Sequence, residues 1–265
     1  MEFYDTHMHS CLSFDCDESP EAYVDEQTST LVFTDHLDLA NPWDHGQDSI
    51  PDFDQLFKWQ EDFKKQNIEM LTGVEIGYVP GKAKAIQRVL SPYPFDVAIL
   101  SAHQNTTYDY MDVDTGKPAE EMINEYLDQL SEALDYFNDC QIFAHFDYGF
   151  RVHPLTEEDM TTYEEKLKTI FSKVIDLGMA FELNSKSIVK YDKIDLYRWA
   201  IPIYQAMGGK YFSLGSDAHK KEEKFNEFHT LIHLLEEYNV EAVCVYKNKE
   251  RFLCSLADVK ELLNH

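Results

Sequence analysis

Five short apolar runs each lead straight into a residue type that ligates metals. Phe3–Thr6 runs into His7 and His9, Leu31–Thr34 into Asp35 and His36, and Val97–Leu100 into His103. Ile142–Ala144 runs into His145, and Phe212–Leu214 into Asp217 and His219. A sixth run, Leu71–Ile76, is interrupted by Glu75, where burial of an unpaired carboxylate would cost several kcal/mol. His7 and His9 stand at alternate positions of an extended segment, so both imidazoles leave one face and can meet one ion. Asp217-Ala218-His219 repeats that spacing at the far end of the chain. Singly, Glu75, His103 and His145 read as satisfied polar groups; together they form a ligand set. When strand after strand of a parallel barrel ends in such a residue, the residues converge on the carboxyl-terminal rim. The pattern predicts a multinuclear metal site. His229 and His233 also have a spacing that can bind metal, but no nearby acid completes the set, and they read as helix surface.

Strand and helix alternate along the whole chain. Strands are expected near 3–7, 30–34, 69–76, 95–102, 141–145, 179–184, 211–215 and 240–246. Helical spacing runs through Ser19–Val24, Asp52–Gln66, Ala119–Phe137, Glu157–Asp176, Asp192–Met207 and Lys221–Tyr238. Asn41–Pro51 reads as a long loop that would shape access to the rim. No repeat or Pro/Gly/Ser linker divides the 265 residues, a length ordinary for one barrel of roughly 250 residues. A single α/β domain over 1–265 is expected.

The formal charge is −26, a surface that repels a phosphate backbone and gains nothing from counterion release, so neither nucleic acid nor anionic lipid is an expected partner. Small phosphorylated metabolites stay open, because bound cations and a local arginine invert the field inside a pocket. No apolar stretch approaches the roughly 20 residues of a membrane span, and the opening Met1–Asp5 has no signal-peptide pattern. The five cysteines are odd in number and lack a Cys-x-x-Cys pair, which fits a reducing cytoplasm. Cys11 and Cys16 read as small buried or loop residues rather than ligands.

Read in order, His7-x-His9-Ser10, Asp15, Thr34-Asp35-His36, Gly73-Val74-Glu75, Ser101-Ala102-His103, Ala144-His145, Glu182-Leu183-Asn184 and Gly215-Ser216-Asp217-Ala218-His219 resemble the PHP (polymerase and histidinol phosphatase) family. The likeness spans residues 3 to about 220. It implies a distorted (β/α)7 TIM-like barrel with three divalent ions. His7, His9, Glu75 and Asp217 would hold the first; Glu75 would bridge to a second shared with His103 and His145; Asp15, His36 and His219 would hold the third. Nitrogen and oxygen donors without a thiolate favour Zn, Mn or Fe over Mg or Ca, and paired ions of that kind activate water toward a phosphate ester.

The resemblance also implies a basic residue in the loop after His145, where Arg151 stands, its fork of donors suited to bidentate capture of phosphate. Its alternative is a surface salt bridge. Catalysis is expected from Arg151, Asp217 and Glu75, and substrate contact from Arg151, His153, Lys186 and Lys190. The two lysines stand where that branch would offer a second arginine. Asp35, Asp38, Trp43 and His45 can read a cationic substrate end, though loop decoration is the simpler account of each. The implied activity is hydrolysis of L-histidinol phosphate in histidine biosynthesis. The alternatives are a PHP-type phosphoesterase acting on another small phosphate ester or nucleotide, and, from a different class, a non-catalytic metal-binding module, against which the complete ligand set argues.

Overall fold

The computed structural model describes residues 2–25 and 28–264. Ten strands are assigned: β1 (Thr30–Phe33), β2 (His36–Asn41), β3 (Gln47–Ser49), β4 (Glu69–Gly77), β5 (Val97–Ser101), β6 (Ile142–Phe143), β7 (Ala180–Asn184), β8 (Phe212–Gly215), β9 (Ala242–Lys247) and β10 (Glu250–Ser255). The helices are α1 (Phe53–Lys64), α2 (Ala83–Leu90), α3 (Ala119–Tyr136), α4 (Glu157–Thr162), α5 (Glu164–Asp176), α6 (Ile194–Ala206), α7 (Phe228–Glu237) and α8 (Leu256–Leu263).

The main sheet follows the order β3-β2-β4-β5-β6-β7-β8, with β1 pairing β4 below β2. Every pairing from β1 and β2 through β8 is parallel; only the β2–β3 rim hairpin is antiparallel. Helices between successive strands cover the outer face, so β5 and β7 are buried along their whole length, as parallel strands covered on both faces are.

The first expected strand, 3–7, is not a regular strand. The Thr6–His9 segment nonetheless lies between the two edges of the sheet. On one side Thr6 N–H donates to Leu214 O (3.3 Å), Asp217 N–H to His7 O (2.8 Å) and His9 N–H to Ala218 O (2.8 Å); on the other Thr34 N–H donates to Met8 O (2.8 Å). This segment is the seventh stave of a distorted (β/α)7 TIM-like barrel. Its irregularity comes from Asp5, whose carboxylate takes the N–H groups of His7 and Ser216 that a ladder would otherwise use.

Four other expectations change. The second stave does not stop at Thr34: it breaks at Thr34-Asp35 and resumes as β2, with His36 opposite Glu75. The 240–246 strand exists as β9 but pairs with β10 instead of joining the barrel; Tyr4 fastens the hairpin underneath by accepting from Tyr246 N–H and donating to its carbonyl. The 157–176 helix divides at Tyr163, which is buried with its ring edge-on to Phe150. The 221–238 helix begins only at Phe228, because Phe225 and Glu227 adopt left-handed φ of 57° while Phe225 N–H donates to Asp5 and its ring packs on Phe3.

Candidate metal centre

Glu75 sits near the carboxyl end of β4 at 0% exposure, and imidazoles surround it. Its Oε2 lies 2.8 Å from His36 Nδ1, 3.2 Å from His7 Nε2 and 3.7 Å from His9 Nε2; its Oε1 lies 2.7 Å from His145 Nε2 and 3.1 Å from His103 Nε2. Asp217 Oδ1 is 3.4 Å from His9 Nε2, and Asp15 Oδ2 is 3.0 Å from His219 Nε2 and 3.7 Å from His36 Nε2. All nine expected ligands therefore stand on one rim. Their donor atoms form overlapping groups whose members lie within 4.8 Å of one another: His7/Glu75/His145, His7/His9/Asp217, His36/Asp38/His103 and His9/His36/His219. Asp217 holds its place with a left-handed φ of 56°, backbone strain of the kind stored at functional sites.

The donors fit divalent cations. His7 Nε2, His9 Nε2, His36 Nδ1 and Glu75 Oε2 are buried and, although the three nitrogens lie 2.8–3.7 Å from that oxygen, make no well-aligned hydrogen bond among the described residues, an arrangement that costs free energy unless protons or a cation sit between them. Burial opposes charge on His7 and His103, yet Glu182 with Glu75 for the first, and Asp38 with Glu75 for the second, hold both imidazoles well above the ordinary range. His36 is raised in the same way to about 9, against burial, by Glu75 and Asp15. Glu75 goes well below the carboxylate range: burial would raise it, but His36, His7 and His103 outweigh burial. Protons on imidazoles and divalent ions are thus interchangeable ways of compensating one buried carboxylate, and ion binding displaces protons.

The rim opens into a cavity of 340 Å³ whose lining includes Asp15, His36, His103, His145, Asp217, His219, Arg151, Lys186, Lys190, Trp43, Asp109 and Tyr148. Arg151 is not a surface salt bridge. It is 5% exposed, its Nε lies 3.4 Å from Asp147 Oδ2 and 3.0 Å from Ser187 Oγ, and the guanidinium packs between the rings of Tyr148 (4.9 Å) and Tyr191 (5.2 Å). Lys186 Nζ is 3.0 Å from Asp217 Oδ1 and 3.0 Å from His219 Nδ1, while Lys190 is exposed beside Tyr191. His153 is not among the lining residues; its carbonyl accepts from Lys193 instead. His45 is exposed and also absent from the wall. Cys16 donates its thiol to the carbonyl of His219, and Cys11 is exposed and free.

A sequence profile of the PHP domain matches residues 5–186, a span holding every expected ligand except Asp217 and His219. The chain belongs to the PHP domain family. It is 26% identical over 239 residues to a histidinol-phosphatase of Lactococcus lactis, covering 86% of this chain and 88% of the relative. A probable histidinol-phosphatase of Clostridium acetobutylicum is 22% identical over 256 residues, covering 94% and 99%. The crystal structure of the histidinol phosphate phosphatase from Lactococcus lactis, complexed with zinc, L-histidinol and phosphate, has the same fold: TM-score 0.80 at 24% identity, covering 94% of this chain and 98% of that one.

In this PHP chain, four further acids support the centre. Glu182 lies 2.7 Å from His7 Nδ1 and accepts from His145 N–H (2.9 Å), which orients the His7 ring with Nε2 toward Glu75 and free to lose its proton to an incoming ion. Gly215 makes that contact possible, since a Cβ there would lie 2.3 Å from Glu182 Oε1 and 2.6 Å from His7 Cβ. Asp38 is no loop decoration: it is buried with both oxygens 3.2 Å from His103 Nδ1. Asp35 accepts from Ser10 N–H and from Ser13 Oγ, which in turn lies 3.2 Å from His9 Nδ1. Asp147 accepts from Arg151, Ser187 and Tyr197. Glu182 was open to sequence reasoning, for it interrupts the apolar run Ala180–Leu183 as Glu75 interrupts its own. Asp147 carries no such signal.

Proposed function

We propose that this chain is a metal-dependent phosphomonoesterase that hydrolyses L-histidinol phosphate to L-histidinol and phosphate, a step of histidine biosynthesis. The observation that carries the reading is the convergence of nine nitrogen- and oxygen-donor residues, Glu75 at their middle, beside one buried arginine, in a cavity sized for a metabolite. Relatives that match nearly end to end and bear the histidinol-phosphatase name support the substrate, as does the zinc, L-histidinol and phosphate complex of the Lactococcus lactis protein.

The reading assigns three ions of Zn, Mn or Fe: one to His7, His9, Glu75 and Asp217, a second to Glu75, His103 and His145, a third to Asp15, His36 and His219. Such ions, when bound, supply Lewis acidity to phosphate oxygens and water. The chain's own residues do the rest. Arg151, held in place by Asp147 and Ser187, offers its remaining donors to the phosphate. Lys186 adds a second cation between Asp217 and His219, and Lys190 adds charge at the mouth. A chain of net charge −26 disfavours polyanions and attracts a cationic substrate end. Among the described residues no helix is long and apolar enough to cross a membrane. No disulfide joins any of the five cysteines, and the thiols fit a reducing, cytoplasmic setting.

The test compares kcat/KM for histidinol phosphate, a nucleoside monophosphate and an aryl phosphate with metal-loaded protein. A preference of at least about 10²-fold, roughly 2.7 kcal/mol of differential transition-state binding, is expected, with three equivalents of metal per chain. Parity among the esters removes the histidine-pathway assignment; full activity at one equivalent removes the three-ion assignment.

A further inference from the structure

The cavity has an acidic wall that the metal centre does not use. Asp109 is 3% exposed and lines the cavity. Its Oδ1 accepts the backbone N–H of Met111 (2.7 Å), and the Tyr148 hydroxyl donates across both oxygens (3.0 and 3.2 Å). These donors are all neutral. Among the described residues no lysine, arginine or histidine makes an ion pair with Asp109, although every other acid at the centre has a cationic partner or supports one. Burial pushes its carboxyl up to about 7, with the Met111 N–H and the more distant His103 opposing that rise; a cation in direct contact would favour the carboxylate, and this acid faces the space where substrate must sit.

Two side chains fix it in relation to the rest of the site. Tyr148 touches both charged walls: its ring lies 4.9 Å from the Arg151 guanidinium and 4.9 Å from the His103 ring, while its hydroxyl holds Asp109. Trp43, half-exposed and lining the same cavity, donates from Nε1 to Asp112 (3.2 Å), whose carboxylate accepts the Asp109 N–H (2.9 Å). The loop carrying Asp109 is thereby tied to the rim hairpin, and Trp43 lines the same cavity as Asp109.

The geometry points to Asp109, with Trp43 lining the same cavity, as the specificity-determining subsite that takes the protonated nitrogen of a phosphate monoester whose phosphate lies against Arg151. This rests on the phosphomonoesterase reading and adds what that reading lacks: the residue that distinguishes an aminoalkyl or imidazolium-bearing ester from a neutral one. A buried carboxylate supplies the charge-assisted hydrogen bond, and the indole face adds attraction for a cation.

The experiment measures kcat/KM of metal-loaded wild type, Asp109→Asn and Asp109→Glu on three esters: histidinol phosphate, an aminoalkyl phosphate, and the alkyl phosphate of the same chain length without nitrogen. Inhibition by inorganic phosphate and metal content are followed in parallel. Wild type should prefer the aminoalkyl over the alkyl ester. In Asp109→Asn that preference should fall by at least 30-fold, about 2 kcal/mol at 1.36 kcal/mol per decade, through KM more than kcat. Turnover of the alkyl ester, phosphate inhibition and metal content should hold, and Asp109→Glu should regain part of the preference. Equal loss on charged and neutral esters, or no change in their ratio, overturns the assignment. So does a wild type indifferent to the nitrogen. If histidinol phosphate is a poor substrate while the aminoalkyl preference exists and depends on Asp109, the histidine-pathway reading falls and the subsite stands.

Discussion

Arg151 shows how much one residue's surroundings decide. Buried against Asp147 and Ser187 and stacked between two tyrosines, it has a fixed plane, and a fixed fork loses less freedom on binding an anion than a mobile surface arginine would. Arg151→Ala should therefore lower kcat/KM by about 10²-fold or more, from roughly 2–4 kcal/mol of lost charge-assisted contact, with Arg151→Lys recovering only part. Unchanged kinetics at full metal content would show that the guanidinium serves Asp147 alone. Residues of this kind were legible in unequal measure. His7, His9, Glu75, His103, His145 and Asp217 stood out because each interrupts or ends an apolar run, where a polar side chain needs a reason. Asp109 and Asp147 lie in loops of a chain with 49 acids, and against that background another aspartate carries no signal until its burial is seen.

At the scale of elements, the strands place ligands and the glycines let strands approach. Alternation explains why His7 and His9 share a face, and register explains why His36 meets Glu75. Gly215, at the end of β8, is where Glu182 of β7 reaches across to His7. Gly215→Ala should cost about 1–3 kcal/mol through overpacking and should also shrink the rise in thermal midpoint on adding zinc, because the added methyl displaces the carboxylate that orients His7. A loss of stability with an undiminished zinc response would separate packing from ligand orientation. The apolar periods that predict strands and helices were a good guide where one element ran uninterrupted, as in β4, β7 and α3. They failed where a side chain took over a backbone group. Asp5, within the first expected strand, accepts the N–H groups of His7, Ser216 and Phe225 and so accounts both for the irregular first stave and for the late start of α7; nothing local to the α7 segment announces it.

The barrel has a seam where its earliest and latest ligand motifs meet: His7–His9 on one side, Gly215–His219 on the other, joined by few backbone hydrogen bonds. Strands β4 and β5, by contrast, pair over five consecutive residues. Removing metal with a chelator should accordingly raise amide hydrogen exchange at His9 and Asp217 well before it does so at β4 and β5, since local opening follows the weakest cooperative unit; a uniform rise along the barrel would show the centre to be no part of the seam. The same feature bears on biogenesis. Contacts between residues about two hundred positions apart form late and slowly, so while a ribosome is still adding residues beyond α6 the emerging chain has the imidazoles of its first stave but not the carboxylate and imidazole that complete their socket. Filling of the socket that His7 and His9 would share with Asp217 is thus confined to chains extended past His219, and a product truncated before β8, however well its early strands pair, would leave the cell's metal supply untouched at that socket.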